Sequence, residues 1–184
     1  MSEPLVEIVE FQKFPKIPRL SRPCVVTEKI DGTNAQICLT EAGQMFVGSR
    51  NRWLTQDTDN YGFCRWAVDH YDELKQLGPG RHYGEWWGQG INRAYGLTER
   101  RFSLFNTHRW LLTPPPACCS IVPVLWTGNF DELDVDGIMA DLVRNGSTAV
   151  PGYHAPEGIV VYHSVSRTLF KKTFDNDPTG KGEE

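Results

Sequence analysis

Short apolar runs bounded by turn residues dominate the first third of the chain. They predict strands at Cys24–Glu28, Ala35–Leu39 and Met45–Gly48. Glu41-Ala42-Gly43 between the last two suits a hairpin. From Tyr61 to Leu77 the period changes. Phe63, Trp66, Ala67, His70, Tyr71, Leu74 and Leu77 recur at helical spacing, with Asp59 or Asn60 available as a cap and Gly78-Pro79-Gly80 as a stop. Further strands are predicted at His82–Trp86, Phe102–Phe105 and Ile121–Trp126. Pro114-Pro115-Pro116 marks a rigid loop, and a second helix is predicted within Asp131–Arg144, ending at Asn145-Gly146. Strands return at Gly158–Tyr162 and Thr168–Phe174. Many strands with two intervening helices indicate an α+β domain with a largely antiparallel core.

The flanks read differently. Phe11 to Pro23 is interrupted by Pro15, Pro18 and Pro23 and carries Lys13, Lys16, Arg19 and Arg22, so residues 1–23 read as an extended arm. Residues 175–184 are polar and read as a flexible tail. The 184 residues suffice for one domain with a real core. No apolar run is long enough to span a bilayer, and the N-terminus lacks the basic and apolar regions of a signal peptide. A cytoplasmic protein without membrane partners is the expectation. The five cysteines are odd in number and form no Cys-x-x-Cys pair, which suits idle or buried thiols. The five histidines have no ligand spacing for zinc. A net charge of −4 argues against a broad grip on nucleic acid, but not against a local site for one nucleotide and one strand end.

Four segments at strand edges or turns carry the chemistry. They are Glu28-Lys29-Ile30-Asp31-Gly32-Thr33-Asn34, Tyr83-Gly84-Glu85-Trp86, Glu157-Gly158-Ile159-Val160-Val161 and Phe170-Lys171-Lys172-Thr173. Each alone is a weak signal; the order of all four is the strong one. From about Val25 to Phe174 the sequence resembles the ATP-dependent RNA ligase branch of the covalent nucleotidyltransferases. Lys29-Ile30-Asp31-Gly32 is similar to that family's nucleophile motif, and Gly48-Ser49-Arg50 to the short basic motif after it. Tyr83-Gly84-Glu85 resembles the third motif, Phe102-Ser103-Leu104-Phe105 the adenine-stacking segment, Glu157-Gly158 the fourth and Lys171 the fifth. Asn34 resembles an asparagine typical of the RNA-sealing branch.

The resemblance implies antiparallel β-sheets with flanking helices, the nucleotidyltransferase (ATP-grasp-like) domain of nucleic-acid ligases. It implies an AMP donor, ATP, and a Mg²⁺ ion. Lys29 would attack the α-phosphate. An amine at its ordinary pKa, roughly 10.4, is mostly protonated, and a nearby divalent metal or second lysine disfavours that charged form. Lys171 is the candidate second lysine. Glu157 is the expected metal carboxylate, and Asp31 would orient Lys29 or help with metal at a later step. Glu85 would bond the ribose, Phe105 would stack on adenine and Glu28 lies where the family contacts the base. Arg50 would meet the ribose or a strand phosphate.

Two departures qualify the match. The family's fifth motif commonly reads Lys-x-Lys; here it is Lys171-x-Thr173, or Lys172 fills one role with the frame shifted. The chain also stops soon after that motif, where relatives carry an OB-fold or helical domain, so residues 1–184 read as a single adenylation domain whose strand sealing would be weak or would need an accessory nucleic-acid-binding partner. The expected partners are nucleic-acid strand ends, RNA preferred. The rival readings are a DNA-nick ligase or GTP-using capping enzyme, and a non-catalytic module that binds a nucleotide or strand end. Arg93, Arg100, Arg101 and Arg109 form a loose basic cluster that is either a solvated loop or a landing strip. Trp86 and Trp87 read as packing residues.

Overall fold

The computed structural model describes residues 9–175. Among these residues nine strands form two sheets. The first joins β7 (Val124–Asn129), β1 (Pro23–Lys29), β8 (Gly158–His163) and β9 (Thr168–Thr173) in that order, all antiparallel. The second runs β3 (Met45–Ser49), β2 (Thr33–Leu39), β4 (Gly80–Gly88), β5 (Arg100–Leu104), β6 (Cys119–Ile121). Its pairs are antiparallel except β5–β6, which is parallel. The predicted α+β architecture with antiparallel sheets is the one observed.

Strand alternation gives each sheet two distinct faces. On the second sheet, Ala35, Ile37, Val47, Trp86, Phe102 and Leu104 pack against Phe63, Ala67, Leu74 and Leu77. On the first, Cys24, Val26, Ile159 and Val161 pack against Met139 and Leu142 of α4 (Val135–Asn145). Asp134 caps that helix by accepting from Gly137 N at 2.8 Å. A third cluster of Ile30, Trp87, Tyr95 and Val122 lies under the turn that joins β1 to β2. The opposite faces carry the polar residues of interest. No helix of the described residues is long and apolar enough to cross a membrane.

Three expectations about elements change. The helix predicted over Tyr61–Leu77 is divided into α1 (Phe63–Asp69), α2 (Tyr71–Leu74) and a 3-10 turn at Lys75–Leu77. The break falls at His70, whose ring nitrogen Nδ1 lies 2.8 Å from the Trp66 carbonyl oxygen. Asp59 does serve the start, accepting from Cys64 N at 2.7 Å and Arg65 N at 3.1 Å. The single strand predicted at Ile121–Trp126 is two strands in different sheets. Pro123 has no N–H for a ladder, and its carbonyl accepts from Glu28 N at 2.9 Å as the chain crosses over. A short helix, α3 (Thr107–Leu112), capped by Asn106, was not predicted. Residues 9–20 are exposed and without strand or helix, while the tail reading for 175–184 lies outside the described residues but for Asp175. Among those residues every cysteine is free.

Candidate active site

Lys29 is the last residue of β1, and Glu157 directly precedes β8, its antiparallel neighbour. The Lys29 ammonium donates to Glu157 Oε2 at 2.7 Å, and both side chains are mostly buried, at 25% and 17% exposure. Register fixes this pairing. Lys29 lies opposite Gly158, whose backbone has φ +149° and whose hypothetical Cβ would fall 2.1 Å from the Lys172 carbonyl oxygen. Only glycine fits where three strands converge beside the lysine.

After Lys29 the chain turns through Asp31-Gly32 into β2, crossing to the other sheet. Gly32 N donates to Glu85 Oε1 and Asn34 Nδ2 to Glu85 Oε2, each at 3.1 Å. A Cβ on Gly32 would meet the Trp86 carbonyl at 2.5 Å. Glu85 thus receives the Asp31-Gly32 turn from β4 and is buried. Burial is the main influence on its carboxyl and pushes the pKa up to about 7. The nearby charge of Lys29 and the bond from Gly32 oppose that rise, and the charge of Glu157 adds to it. Burial also raises the Glu157 carboxyl, against the pull of Lys29 and Arg93 and with a push from Asp31. Four candidates from distant segments, Lys29, Asp31, Glu85 and Glu157, therefore share one electrostatic neighbourhood.

The loop between β4 and β5 closes over the turn. Asn92 Nδ2 donates to Asp31 Oδ1 at 2.9 Å and to the Gly32 carbonyl at 2.7 Å. Asp31 N donates to the Tyr95 hydroxyl at 2.8 Å. Arg93 Nε lies 3.1 Å from Asp31 Oδ2 in an ion pair, and a terminal guanidinium nitrogen reaches Asp175. Asn92, Ala94 and Tyr95 all have positive φ, between 44° and 54°. Three such residues in one short loop hold backbone strain against the site. Asn92 and Tyr95 were missed from sequence. Arg93 belonged to the loose basic cluster, and the structure makes it part of the site.

Asn34 and Arg50 follow Glu85 across the second sheet. Asn34 pairs with Glu85, and Arg50 directly follows β3 with the parity of Gly48, which lies opposite Gln36. Arg50 is exposed. Phe105 continues the β4–β5 register, its N–H donating to the Tyr83 carbonyl at 2.9 Å, and its ring is 42% exposed; Phe102 is fully buried in the core. Among the aromatics of that segment, Phe105 is thus the one open to a ligand.

Register also separates the two lysines of the fifth segment. Lys171 lies opposite Val160, which lies opposite Thr27, so it stands on the Lys29 face. Lys172 lies opposite Ile159 on the other face and donates to Asp136 of α4 at 2.6 Å. The Lys172 side chain is thus directed to the helix layer, away from the Lys29 face. Glu28 is redirected in the same way. Alternation turns its side chain from Lys29, and it is 1% exposed. Its carboxylate accepts from Ser147 Oγ at 2.5 Å, Thr148 N at 2.8 Å and Ala149 N at 2.9 Å. The buried carboxylate thereby fastens that loop.

Among the described residues no three His, Cys, Asp or Glu side chains gather as a self-sufficient metal cage. Mg²⁺ is commonly held by one or two carboxylates with waters and substrate phosphates. Glu157, with Asp31 close enough to influence it, fits that partial role.

Fold and site together define a nucleotidyltransferase domain of the RNA ligase kind. The RNA ligase family model matches residues 22–176, and the chain belongs to that family. No curated protein matches the chain. Among solved structures it is similar to Naegleria gruberi RNA ligase mutants. One, with ATP and Mn, has 19% identity and a TM-score of 0.62, covering 83% of this chain and 49% of that one. A second with ATP and Mn gives 19% and 0.64, covering 85% and 51%. A third, with AMP and Mn, gives 18% and 0.61, covering 84% and 50%. At these identities the likeness is one of fold, and the chain spans about half the length of those proteins.

Proposed function

We propose that the chain is an ATP-dependent polynucleotide ligase domain that acts on RNA 5′-phosphate and 3′-hydroxyl ends through a covalent lysyl-AMP on Lys29. The observation that carries this reading is the 2.7 Å contact of Lys29 Nζ with Glu157 inside the cluster completed by Glu85 and Asp31. Family membership over residues 22–176 supports it.

In the first step the deprotonated Lys29 amine attacks the α-phosphorus of ATP. A P–N bond forms, the bond to the bridging oxygen breaks, and pyrophosphate leaves. The Glu157 carboxylate is in contact with the ammonium and is placed to receive its proton. A 5′-phosphate oxygen of the strand then attacks the same phosphorus, the P–N bond breaks, and the strand carries AMP. Finally the 3′-hydroxyl oxygen attacks the 5′-phosphorus, a phosphodiester forms, and AMP leaves. A divalent ion such as Mg²⁺ supplies charge stabilisation of the phosphoryl oxygens when bound, with Glu157 and Asp31 as holders. Asn92, Arg93 and Tyr95 fix Asp31 and the turn, so the lysine is presented in one orientation. Lys171, on the same face, supplies positive charge toward the phosphates, and Phe105 an aromatic surface for adenine.

The test is incubation with ATP and Mg²⁺ followed by intact mass. One added AMP is expected, absent in Lys29→Ala and after chelation of the metal. An adduct that persists in Lys29→Ala removes the proposal.

A further inference from the structure

The open face of the second sheet continues past the candidate site. Asn34 and Glu85 form its first row. Two residues further out, Gln36 lies opposite Tyr83 and Gly48, with Phe105 beside Tyr83. Two more residues out, Cys38 lies opposite Arg81 and Phe46. At about 3.4 Å per residue the third row is roughly 14 Å from the first. Over these rows sits Trp53, bridged to Gly48. A Cβ on Gly48 would come within 3.0 Å of the Trp53 ring, so the small residue is what admits the indole. The Arg81 guanidinium stacks over Trp53 at 5.3 Å, and Phe46 packs beside it at 5.8 Å.

These rings are not core. Phe46, Trp53, Tyr83 and Phe105 are 45%, 46%, 52% and 42% exposed. Four half-open aromatics on one sheet face, bordered by the exposed Arg50, Arg52 and Arg81, are unusual on a chain of net charge −4. Flat rings interleaved with guanidinium groups suit unpaired nucleobases on a phosphate backbone, because every base has a face to stack and every phosphate takes an arginine. The patch is also continuous with the row that holds Glu85.

We propose that Trp53 and Tyr83, with Arg81, form a stacking platform for the single-stranded RNA nucleotides leading into the site. This rests on the ligase reading for the identity of the strand, and it separates strand capture from nucleotide chemistry.

The test is anisotropy titration of a labelled, 5′-phosphorylated single-stranded oligoribonucleotide at low salt, with a blunt duplex of the same sequence alongside. Trp53→Ala and Tyr83→Ala are each expected to weaken single-strand binding roughly 5- to 100-fold. Trp53→Phe should keep most of the affinity, and duplex binding should hardly change because its bases are already stacked. Binding of the single strand within twofold of wild type in both alanine variants overturns the proposal. So does equal loss of single strand and duplex, or a wild type that self-associates through this face while Trp53→Ala is monomeric with unchanged RNA affinity. The two readings part cleanly. A wild type that forms no lysyl-AMP yet loses single-strand affinity in Trp53→Ala removes the ligase reading and keeps the platform. A wild type that forms lysyl-AMP with RNA affinity untouched in both variants removes the platform alone.

Discussion

The Asn92 side chain holds Asp31 and the Gly32 carbonyl at once, at 2.9 and 2.7 Å, from a backbone φ of 44°. The two bonds tie the turn after Lys29 to the loop after β4, across about 60 residues of chain. Asn92 is exposed, so its bonds add only about 1 kcal/mol to stability. Their leverage is on geometry, since small misplacements of a reacting group cost far more in rate than in folding. Asn92→Gly keeps the positive φ and removes the side chain. It is expected to slow lysyl-AMP formation by about 10-fold or more, while the melting temperature falls by only a few degrees. Single-turnover transfer from labelled ATP measures the first, calorimetry the second. Equal, small changes in both would reduce Asn92 to an ordinary loop residue.

Stability of the nucleotide-free protein should fall as pH rises from about 4.5 to about 7. Burial first of all raises the Glu85 carboxyl to about 7 from its ordinary 4.5. The folded chain then keeps a proton that the unfolded chain has released. This contribution is fully present below about 4.5 and is lost as pH rises from there to about 7. Glu157, also raised chiefly by burial, acts in the same direction. For Glu85 the change is on the order of 3 kcal/mol. Urea midpoints between pH 4.5 and 8 should show the decline, and Glu85→Gln should flatten it. An undiminished slope in that variant would place the titration elsewhere.

Much of the site is legible in the sequence because its parts are short and local. The Lys29-Ile30-Asp31-Gly32 turn, Glu85 on a strand and Glu157-Gly158 before another are each readable without knowing their partners. What joins them is not. The contacts of Asn92 and Tyr95 with Asp31 depend on a strained loop whose φ values no periodicity encodes, although an asparagine is a common occupant of that region. The direction of the Glu28 side chain is readable in principle, since alternation along β1 puts it on the face away from Lys29, but its bonds to Ser147, Thr148 and Ala149 are not. The Lys171 and Lys172 ambiguity needed the β8–β9 register, because a slip of one residue exchanges the two faces. The strand predicted at Ile121–Trp126 runs across Pro123, and the switch of sheets there becomes visible only once Cys119–Ile121 is seen beside β5. The hydrophobic pattern, by contrast, was sufficient for most strands.

The two adjacent lysines should behave differently. Lys171 stands on the Lys29 face and is exposed, whereas Lys172 is turned to Asp136 on the surface of α4. Exposed ion pairs of that kind contribute little. Lys171→Ala is expected to lower lysyl-AMP formation by roughly 100-fold, the scale of losing one donor to transition-state charge. Lys172→Ala should stay within about twofold of wild type. Rates of AMP transfer for the two variants, measured side by side, decide it; a larger loss in Lys172→Ala would mean that the register of β9 shifts when nucleotide binds.

Gly158 gives the sharpest test of how closely the strands must approach beside Lys29. Any side chain there meets the Lys172 carbonyl at 2.1 Å and the Thr173 Cα at 2.8 Å, both backbone atoms, and must also adopt φ +149°. Neither obstacle can rotate away. β8 and β9 would have to separate next to Glu157, whose carboxylate depends on that edge for its contact with Lys29. Gly158→Ala is therefore expected to cost about 3 kcal/mol or more, and to abolish AMP transfer even at temperatures where the variant remains folded. Gly152, with a positive φ of 89° but open space around it, is the matched control. Gly152→Ala should lose only the conformational part, about 1 kcal/mol, and keep its activity. Comparable losses at the two positions in denaturant titrations would show that strand spacing at Gly158 is not what holds Glu157 against the lysine.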